Sequence, residues 1–532
     1  MDVIGNRNLR WLLEMKVKTY ADKEFIVFED RLGNVHRYTY SEFDLNVNKY
    51  ATILHDLGIK QGDKVIVHLL NSPEYLFSWF ASAKIGAVII PTNVLSGAFE
   101  MEYYVNFSDS VAIITEPNYM EMFTGILPKC PEVKHILLAR SSPLYPTKKI
   151  YPDAVVIQDI LKDTEPKVPD VAIDPEDDLM MLFTSGTTSR PKAVQLTHAN
   201  AVFAGIFGAQ GYKVVPEDRH FMVLPLFHVN AQFISVMPTL TAGATLVMAE
   251  QFSATRYMEQ ARQHKTTTAS LVAATAKMIL AQPKDERDAD NCFRLIMYAI
   301  AISEDQWIEF ETRFNVPLSD LWGMTETLAE TTMNPPDLEM KMNCIGLVRP
   351  GNEMKVVNEE GQEVPPGTVG EMVVKGVPGR TLMKGYYKNP EATAQTIQDG
   401  WLFTGDNAYM DEDGYFHFVD RKKDMIKRGG ENVAAVEVEY VISLHPKVQE
   451  VAVVGVPDPI RDEAIMALVV LKDGETSDAD EIITFCKERL AKFKVPKRIF
   501  MTDALPRNAM GKVQKAELRA KFQDCFTAAK PN

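Results

Sequence analysis

Residues 182–194 read LFTSGTTSRPKAV. An acidic lead-in, DPEDD at 174–178, and a short apolar run, Leu179 to Phe183, precede the loop-like part. That pattern predicts a buried strand ending in an exposed loop. The loop carries Thr184, Ser185, Thr187 and Thr188 around Gly186, and Lys192 follows behind a proline. Hydroxyls, unblocked backbone N–H groups and one ammonium charge suit an anion with several negative oxygens, phosphate being the commonest. Most Ser/Thr/Gly runs are flexible surface loops. The Pro-Lys ending and the apolar strands on both sides favour the anion reading here. No G-x-x-x-x-G-K-[ST] occurs in the stretch, so the P-loop reading fails. No G-x-G-x-x-G stands behind a strand, which weakens a dinucleotide reading.

Outward from the loop, the first part of the chain alternates helix and strand patterns. Ser41 with Asp44 reads as a helix start, Leu45, Ile53, Leu54 and Leu57 as its apolar stripe, and Gly58 as its stop. KVIVHLL then reads as a strand with Val65, Val67 and Leu69 on one face. Pro73 opens another helix, and Ala87 to Ile90 reads as a buried strand. This rhythm implies an α/β sheet domain. Between 340 and 420 glycine and proline become frequent between short β-rich runs, which predicts a small β-rich subdomain. The charged run DRKKDMIKRGGEN, 420–432, reads as a linker. Beyond it, VQEVAVVGVPD, AIMALVVLKDG and DEIITFCKERLAKF suffice for a small α+β domain. The expected organisation is a large N-terminal α/β domain over 1–422 with its β-rich part at 340–420, and a small C-terminal domain over 423–532.

The bulk numbers narrow the function classes. A chain of 532 residues exceeds one compact core. Its 46% hydrophobic and 24% charged residues are those of a globular protein. The net charge of −15 argues against nucleic acid as a partner, so a polyanionic ligand needs a locally basic site. Five scattered cysteines form no C-x-x-C and no Cys/His cluster, as in a reducing cytoplasm. The N-terminus lacks a signal-peptide core, and the most apolar window, Tyr75 to Ile90, is too short and too charged for a membrane span.

Six stretches now stand in one order: TSGTTSRPK (184–192), LPLFHVN (224–230), LWGMTE (321–326), GWLFTGD (400–406), DRKKDMIKRGGENV (420–433) and PRNAMGK (506–512). Together they resemble the adenylate-forming superfamily of acyl- and aryl-CoA synthetases, adenylation domains and luciferases, over essentially the whole chain. FVDRKKDMIKRGGENV, GVPDPIRDEAI and the opening MDVIG are similar to one bacterial branch, the carnitine, crotonobetaine and γ-butyrobetaine CoA ligases. The resemblance implies two steps: a carboxylate attacks the α-phosphate of ATP to give an acyl-adenylate and pyrophosphate, and the thiol of coenzyme A then displaces AMP. ATP, Mg²⁺, CoA and a small-molecule carboxylate are the implied ligands.

The resemblance also implies roles. Thr184 to Lys192 holds the β- and γ-phosphates, with Ser189 and Ala193 standing where the family has glycines. Trp322, where the family usually has Tyr, stacks on adenine beside Gly323. Thr325 donates to the α-phosphate, and Glu326 suits Mg²⁺, which takes carboxylate and phosphate oxygens together. Asp406 and Arg421 take the ribose hydroxyls. Lys512 reaches the carboxylate and α-phosphate, where its charge offsets charge developing in the adenylation transition state. Lys423 is the hinge between half-reactions. Lys427 and the Gly429-Gly430 turn face the pantetheine arm. His228 with Phe227 borders the carboxylate; a buried structural histidine is the equal alternative.

A betaine carries a quaternary ammonium, which aromatic faces bind at about 0.5–2 kcal/mol each. Phe233, Tyr298 and Glu330 are candidate members of such a cage, and AIAISED (299–305) departs from the family's Gly-Ala-Pro-rich strand end. Three alternatives stay open at this stage. One is a ligase for a medium-chain or aryl acid, one a non-catalytic binding homologue, and one an adenylation module serving a carrier protein in trans. The sequence sets no oligomeric state.

Overall fold

The computed structural model describes residues 3–139, 154–184, 191–299, 302–338, 340–421, 425–428, 431–458, 462–490, 492–508, 513–523 and 525. The described chain forms two compact units. One takes in residues up to 184, 191–354 and 374–402; the other takes in 355–373 and 403 onward.

The first unit is built on two large sheets. One has nine strands in the order Leu347–Val348, Thr332–Met333, Leu318–Trp322, Leu295–Ala299, Thr268–Val272, Arg219–Met222, Thr245–Ala249, Glu24–Glu29, Val35–Thr39. Its strands from Leu318–Trp322 through Glu24–Glu29 run parallel. The other has eight strands in the order Gly385–Tyr386, Lys192–Thr197, Asp178–Thr184, Val88–Pro91, Lys64–His68, Ser110–Thr115, His135–Leu138, Ala154–Val156. Central parallel strands bury both faces, so they read as continuous apolar runs. That is why Lys64–His68 is buried from Val65 to His68 rather than showing the alternation expected from Val65, Val67 and Leu69.

Local signals mostly fall where the sequence puts them. The helix Pro73–Ile85 has Ser72 as N-cap, proline in its first turn and Gly86 at φ 74° as C-cap. The strand expected at Ala87–Ile90 is Val88–Pro91. One helix start differs. The helix Tyr40–Asp56 is capped by Thr39, whose hydroxyl accepts from Glu42 N–H at 3.1 Å while Glu42 accepts from Thr39 N–H at 2.8 Å. This reciprocal cap begins two residues before Ser41 and turns the helix so that Phe43, Val47, Tyr50 and Leu54 are buried while Leu45 is exposed.

In the second unit, Phe416–Arg421 pairs antiparallel with Trp401–Met410, and Asp406 stands opposite Arg421. The run expected to be a linker contains strand structure instead. Met425–Arg428 and Glu431–Ala434 pair antiparallel, because Ile426 and Val433 are apolar positions that the core of this unit takes in. The next long pair, Val448–Asp458 with Asp462–Leu471, carries apolar residues on both faces. The helices Ala435–Ser443 and Ala479–Lys487 cover one face and Lys515–Phe522 the other. Sheets and helices in both parts of the chain bear out the mixed α/β class.

Candidate active site

The strand Asp178–Thr184 returns directly as Lys192–Thr197, with Thr184 opposite Lys192. The loop residues Ser185, Gly186, Thr187, Thr188 and Ser189 lie outside the described residues, and the two strand ends fix where that loop starts and stops. Both end residues are half-buried, and the Thr184 hydroxyl lies 3.4 Å from Lys192 O. Ala193, where the family has glycine, is fully buried opposite Phe183, and its carbonyl accepts from Tyr387 N–H at 2.8 Å. Its methyl group is therefore part of the packed strand.

Trp322 closes the parallel strand Leu318–Trp322 and is 8% exposed. The chain then makes a tight turn. Ala329 N–H donates to Met324 O at 2.9 Å, and Thr331 N–H donates to Trp322 O at 2.8 Å. Leu328 and Ala329 take φ of 66° and 73°, the left-handed region that side chains disfavour. Gly323 is required here: a Cβ would sit 2.3 Å from Ala329 O. Within this turn Thr325 is partly exposed, Glu326 buried and Glu330 buried.

The two glutamates have different partners. Glu330 is 1% exposed and pairs at 2.9 Å with Arg349, itself 1% exposed. Burial raises the Glu330 carboxyl above its ordinary value, and Arg349 pulls it back part of the way. Glu326 accepts from the Tyr386 hydroxyl at 2.8 Å. Tyr386 belongs to the strand Gly385–Tyr386, which pairs with Lys192–Thr197, and the Lys192 ammonium lies 4.6 Å from the centre of the Tyr386 ring. Met383 N–H donates to Glu326 O at 2.9 Å. Segment 383–387 therefore ties the end of the Thr184–Lys192 hairpin to the Glu326 turn. Tyr386 was missed in the sequence; the available signal was the aromatic pair in MKGYYKNPE at 383–391.

His228 is half-buried in a turn in which its N–H donates to Pro225 O at 3.0 Å, and its ring lies 4.7 Å from Phe227. Desolvation lowers its imidazole to about 4, so it is neutral at physiological pH. The following segment, Asn230–Val236, is a π-helix that buries Phe233. Such bulges recur at functional sites. Tyr298 is buried in the core cluster, edge-on to Trp307 at 5.4 Å, and its hydroxyl donates to Asp320 at 3.3 Å.

In the second unit, Asp406 is 5% exposed and its N–H donates to the Thr404 hydroxyl at 3.1 Å. Thr404 in turn donates to Met372 O at 2.8 Å, and Gly405 N–H donates to Glu371 at 2.9 Å. Lys427 stands in strand register opposite Asn432. Lys423, Gly429, Gly430 and Lys512 lie outside the described residues. Among the described residues no helix is long and apolar enough to cross a membrane.

A family model described as AMP-binding enzyme matches residues 13–387, and one described as AMP-binding enzyme C-terminal domain matches residues 437–512. The chain belongs to the AMP-binding enzyme family. It is 37% identical over 521 residues to a crotonobetaine/carnitine–CoA ligase of Salmonella agona (strain SL483), covering 98% of this chain and 100% of the relative. ATP-bound MatB from Rhodopseudomonas palustris has the same fold, with a TM-score of 0.87 at 28% identity over 98% of this chain and 100% of that one. The anthranilate CoA ligase AuaEII in complex with anthranoyl-AMP gives 0.86 at 26%, over 98% of each chain. The resemblance carried by the six stretches is borne out.

Proposed function

We propose that this chain is an ATP-dependent acid–CoA ligase whose acid is a small betaine: carnitine, crotonobetaine or γ-butyrobetaine. The observation that carries the reading is the meeting, within the first unit, of the hairpin end at Lys192 with the Glu326 turn through Tyr386. A phosphate-holding loop and a carboxylate suited to a divalent cation belong together at a phosphoryl centre. The full-length likeness to a crotonobetaine/carnitine–CoA ligase supports the choice of acid.

In the first step a carboxylate oxygen of the acid bonds to the α-phosphorus of ATP, and the bond to the pyrophosphate oxygen breaks. The loop Thr184–Lys192 holds the departing β- and γ-phosphates, Trp322 stacks on adenine, and Thr325 donates to the α-phosphate. Lys512 meets the charge that develops there. Glu326, buried with a neutral hydroxyl donor on one oxygen, fits Mg²⁺, which binds through one or two carboxylates plus substrate phosphates. Held there, Mg²⁺ would neutralise phosphate charge. In the second step the CoA sulfur bonds to the acyl carbon, the bond to the AMP oxygen breaks, and the thiol proton goes to solvent. Asp406 and Arg421 hold the ribose throughout. Lys423 is the hinge between an N-terminal domain over 1–422 and a C-terminal domain over 423–532. Lys427, Gly429 and Gly430 border the pantetheine arm.

For the acid we infer a pocket bordered by Phe227, His228 and Phe233. Neutral His228 suits a cationic acid because it adds no like charge. Glu330 and Tyr298 have less support as cage members, since Arg349 and Asp320 already engage them. Five scattered free cysteines favour a reducing, cytoplasmic setting.

The test is AMP formation with ATP, Mg²⁺ and CoA against carnitine, crotonobetaine, γ-butyrobetaine, butyrate, octanoate and benzoate. Turnover confined to the betaines is the expected result. Turnover of the plain acids alone removes the betaine assignment, and silence across the panel removes the ligase reading.

A further inference from the structure

We propose that Tyr386 is a positioning residue for the adenylation step, holding the Glu326 carboxylate with its hydroxyl and the Lys192 ammonium with its ring face. The proposal rests on the ligase reading above.

The geometry gives Tyr386 two separate handles. Its hydroxyl reaches Glu326 at 2.8 Å, at the edge of the ring. Its π face takes Lys192 at 4.6 Å, a different direction in space. A cation over a ring and a hydrogen bond from its rim do not compete. The ring is buried, at 7% exposure, so both contacts are made away from bulk water.

The tyrosine itself is held from several sides. Its backbone pairs in register with Val194. Its N–H donates to the Thr393 hydroxyl at 2.9 Å, and that hydroxyl donates to Asn389 O at 3.0 Å. Asn389 N–H donates back to Tyr386 O at 3.1 Å, and the Asn389 side-chain oxygen caps the helix Pro390–Thr396 by accepting from Ala392 N–H at 3.0 Å. A ring fixed this firmly sets the spacing between a phosphate-loop lysine and a metal-binding carboxylate. Two groups that must meet one triphosphate gain most when their separation is set before the substrate arrives.

The role belongs to the first step alone, because pyrophosphate has left before the thiol attacks. The experiment therefore separates the half-reactions in Tyr386→Phe, which keeps the ring and removes the hydroxyl. Adenylation is read by acid-dependent ATP–pyrophosphate exchange, using the panel acid that the wild type turns over fastest. Thioester formation is read from the synthetic acyl-adenylate plus CoA. We expect exchange to fall on the order of tenfold to a hundredfold, with more Mg²⁺ needed for half-maximal rate, while thioester formation stays at the wild-type rate. Placed in a Glu326→Gln background, Tyr386→Phe should add no further loss. Unchanged exchange, equal loss in both half-reactions, or a fully additive double variant each overturns the role of Tyr386. A wild type silent in both half-reactions overturns the ligase reading instead.

Discussion

Glu326 and Glu330 stand on one tight turn, both buried, and the protein treats them differently. Glu330 is closed off by a guanidinium from Arg349, at 2.9 Å and with both side chains 1% exposed. Glu326 receives a phenol hydroxyl from Tyr386. A buried carboxylate matched by arginine has its charge compensated within the fold. A guanidinium on one and a phenol hydroxyl on the other tell the two apart, although both are glutamates in the same segment, TETLAE at 325–330.

Removing one member of the structural pair should do the most damage. Arg349→Ala leaves the Glu330 charge buried without its partner, and stability should fall by about 3–5 kcal/mol. Thermal or urea unfolding reads this; a loss under 1 kcal/mol would erase the contrast. Glu326→Gln should cost about a hundredfold to a thousandfold in adenylation, an electrostatic loss of about 2.7–4 kcal/mol, with unfolding nearly unchanged. Equal stability losses in the two variants would make both glutamates structural.

Gly323→Ala tests the turn that holds the two apart. The new methyl would meet the Ala329 backbone, so this turn must shift, at about 1–3 kcal/mol. Its unfolding midpoint should drop, and adenylation should drop with it.

Buried histidines supply a third kind of titratable group for the comparison. His198 is fully buried, with its Nδ1 accepting from Leu9 N–H at 3.3 Å, and desolvation lowers it to about 3. Below its ordinary 6.5 the unfolded chain takes up a proton that the folded chain refuses. Its contribution to stability is therefore complete above pH 6.5 and is lost as pH falls from 6.5 towards 3. Each pH unit inside that window costs about 1.4 kcal/mol. His198→Gln should flatten the acid side of the stability profile by one proton, and an unchanged slope would show that this histidine is already charged in the fold. The smallest effect belongs to Ala329→Gly. Relief of the left-handed strain and the entropy of glycine nearly cancel, so unfolding should change by less than about 1 kcal/mol.

The sequence made some of this legible, and the reasons can be given residue by residue. The strand into the loop, the helix after Ser72 and the order of the six stretches follow from local patterns: apolar runs, a capping serine before proline, glycine stops. Glu326 and Trp322 could be named as candidates because LWGMTE is a contiguous signature. The partners of the two glutamates could not. Arg349 comes from the segment after the turn and Tyr386 from farther along the chain, and no local period reports a pairing across such distances. The cap at Thr39 was misplaced by two residues because Ser41 offers the same hydroxyl chemistry. The strands after residue 424 were hidden in the sequence by the charged residues around Ile426 and Val433, which are buried.

The turn from Trp322 to Thr331 is held by main-chain hydrogen bonds and one glycine, and one of its links to segment 383–387, Met383 N–H to Glu326 O, is main chain as well. For protein engineering this divides the chain into what a mutant library can touch and what it cannot. Gly323 and Gly346 are fixed points, since any Cβ there would overlap backbone atoms. Phe227 and His228 carry no such constraint, so a saturation library confined to these two positions tests the proposed acid pocket while leaving that turn untouched.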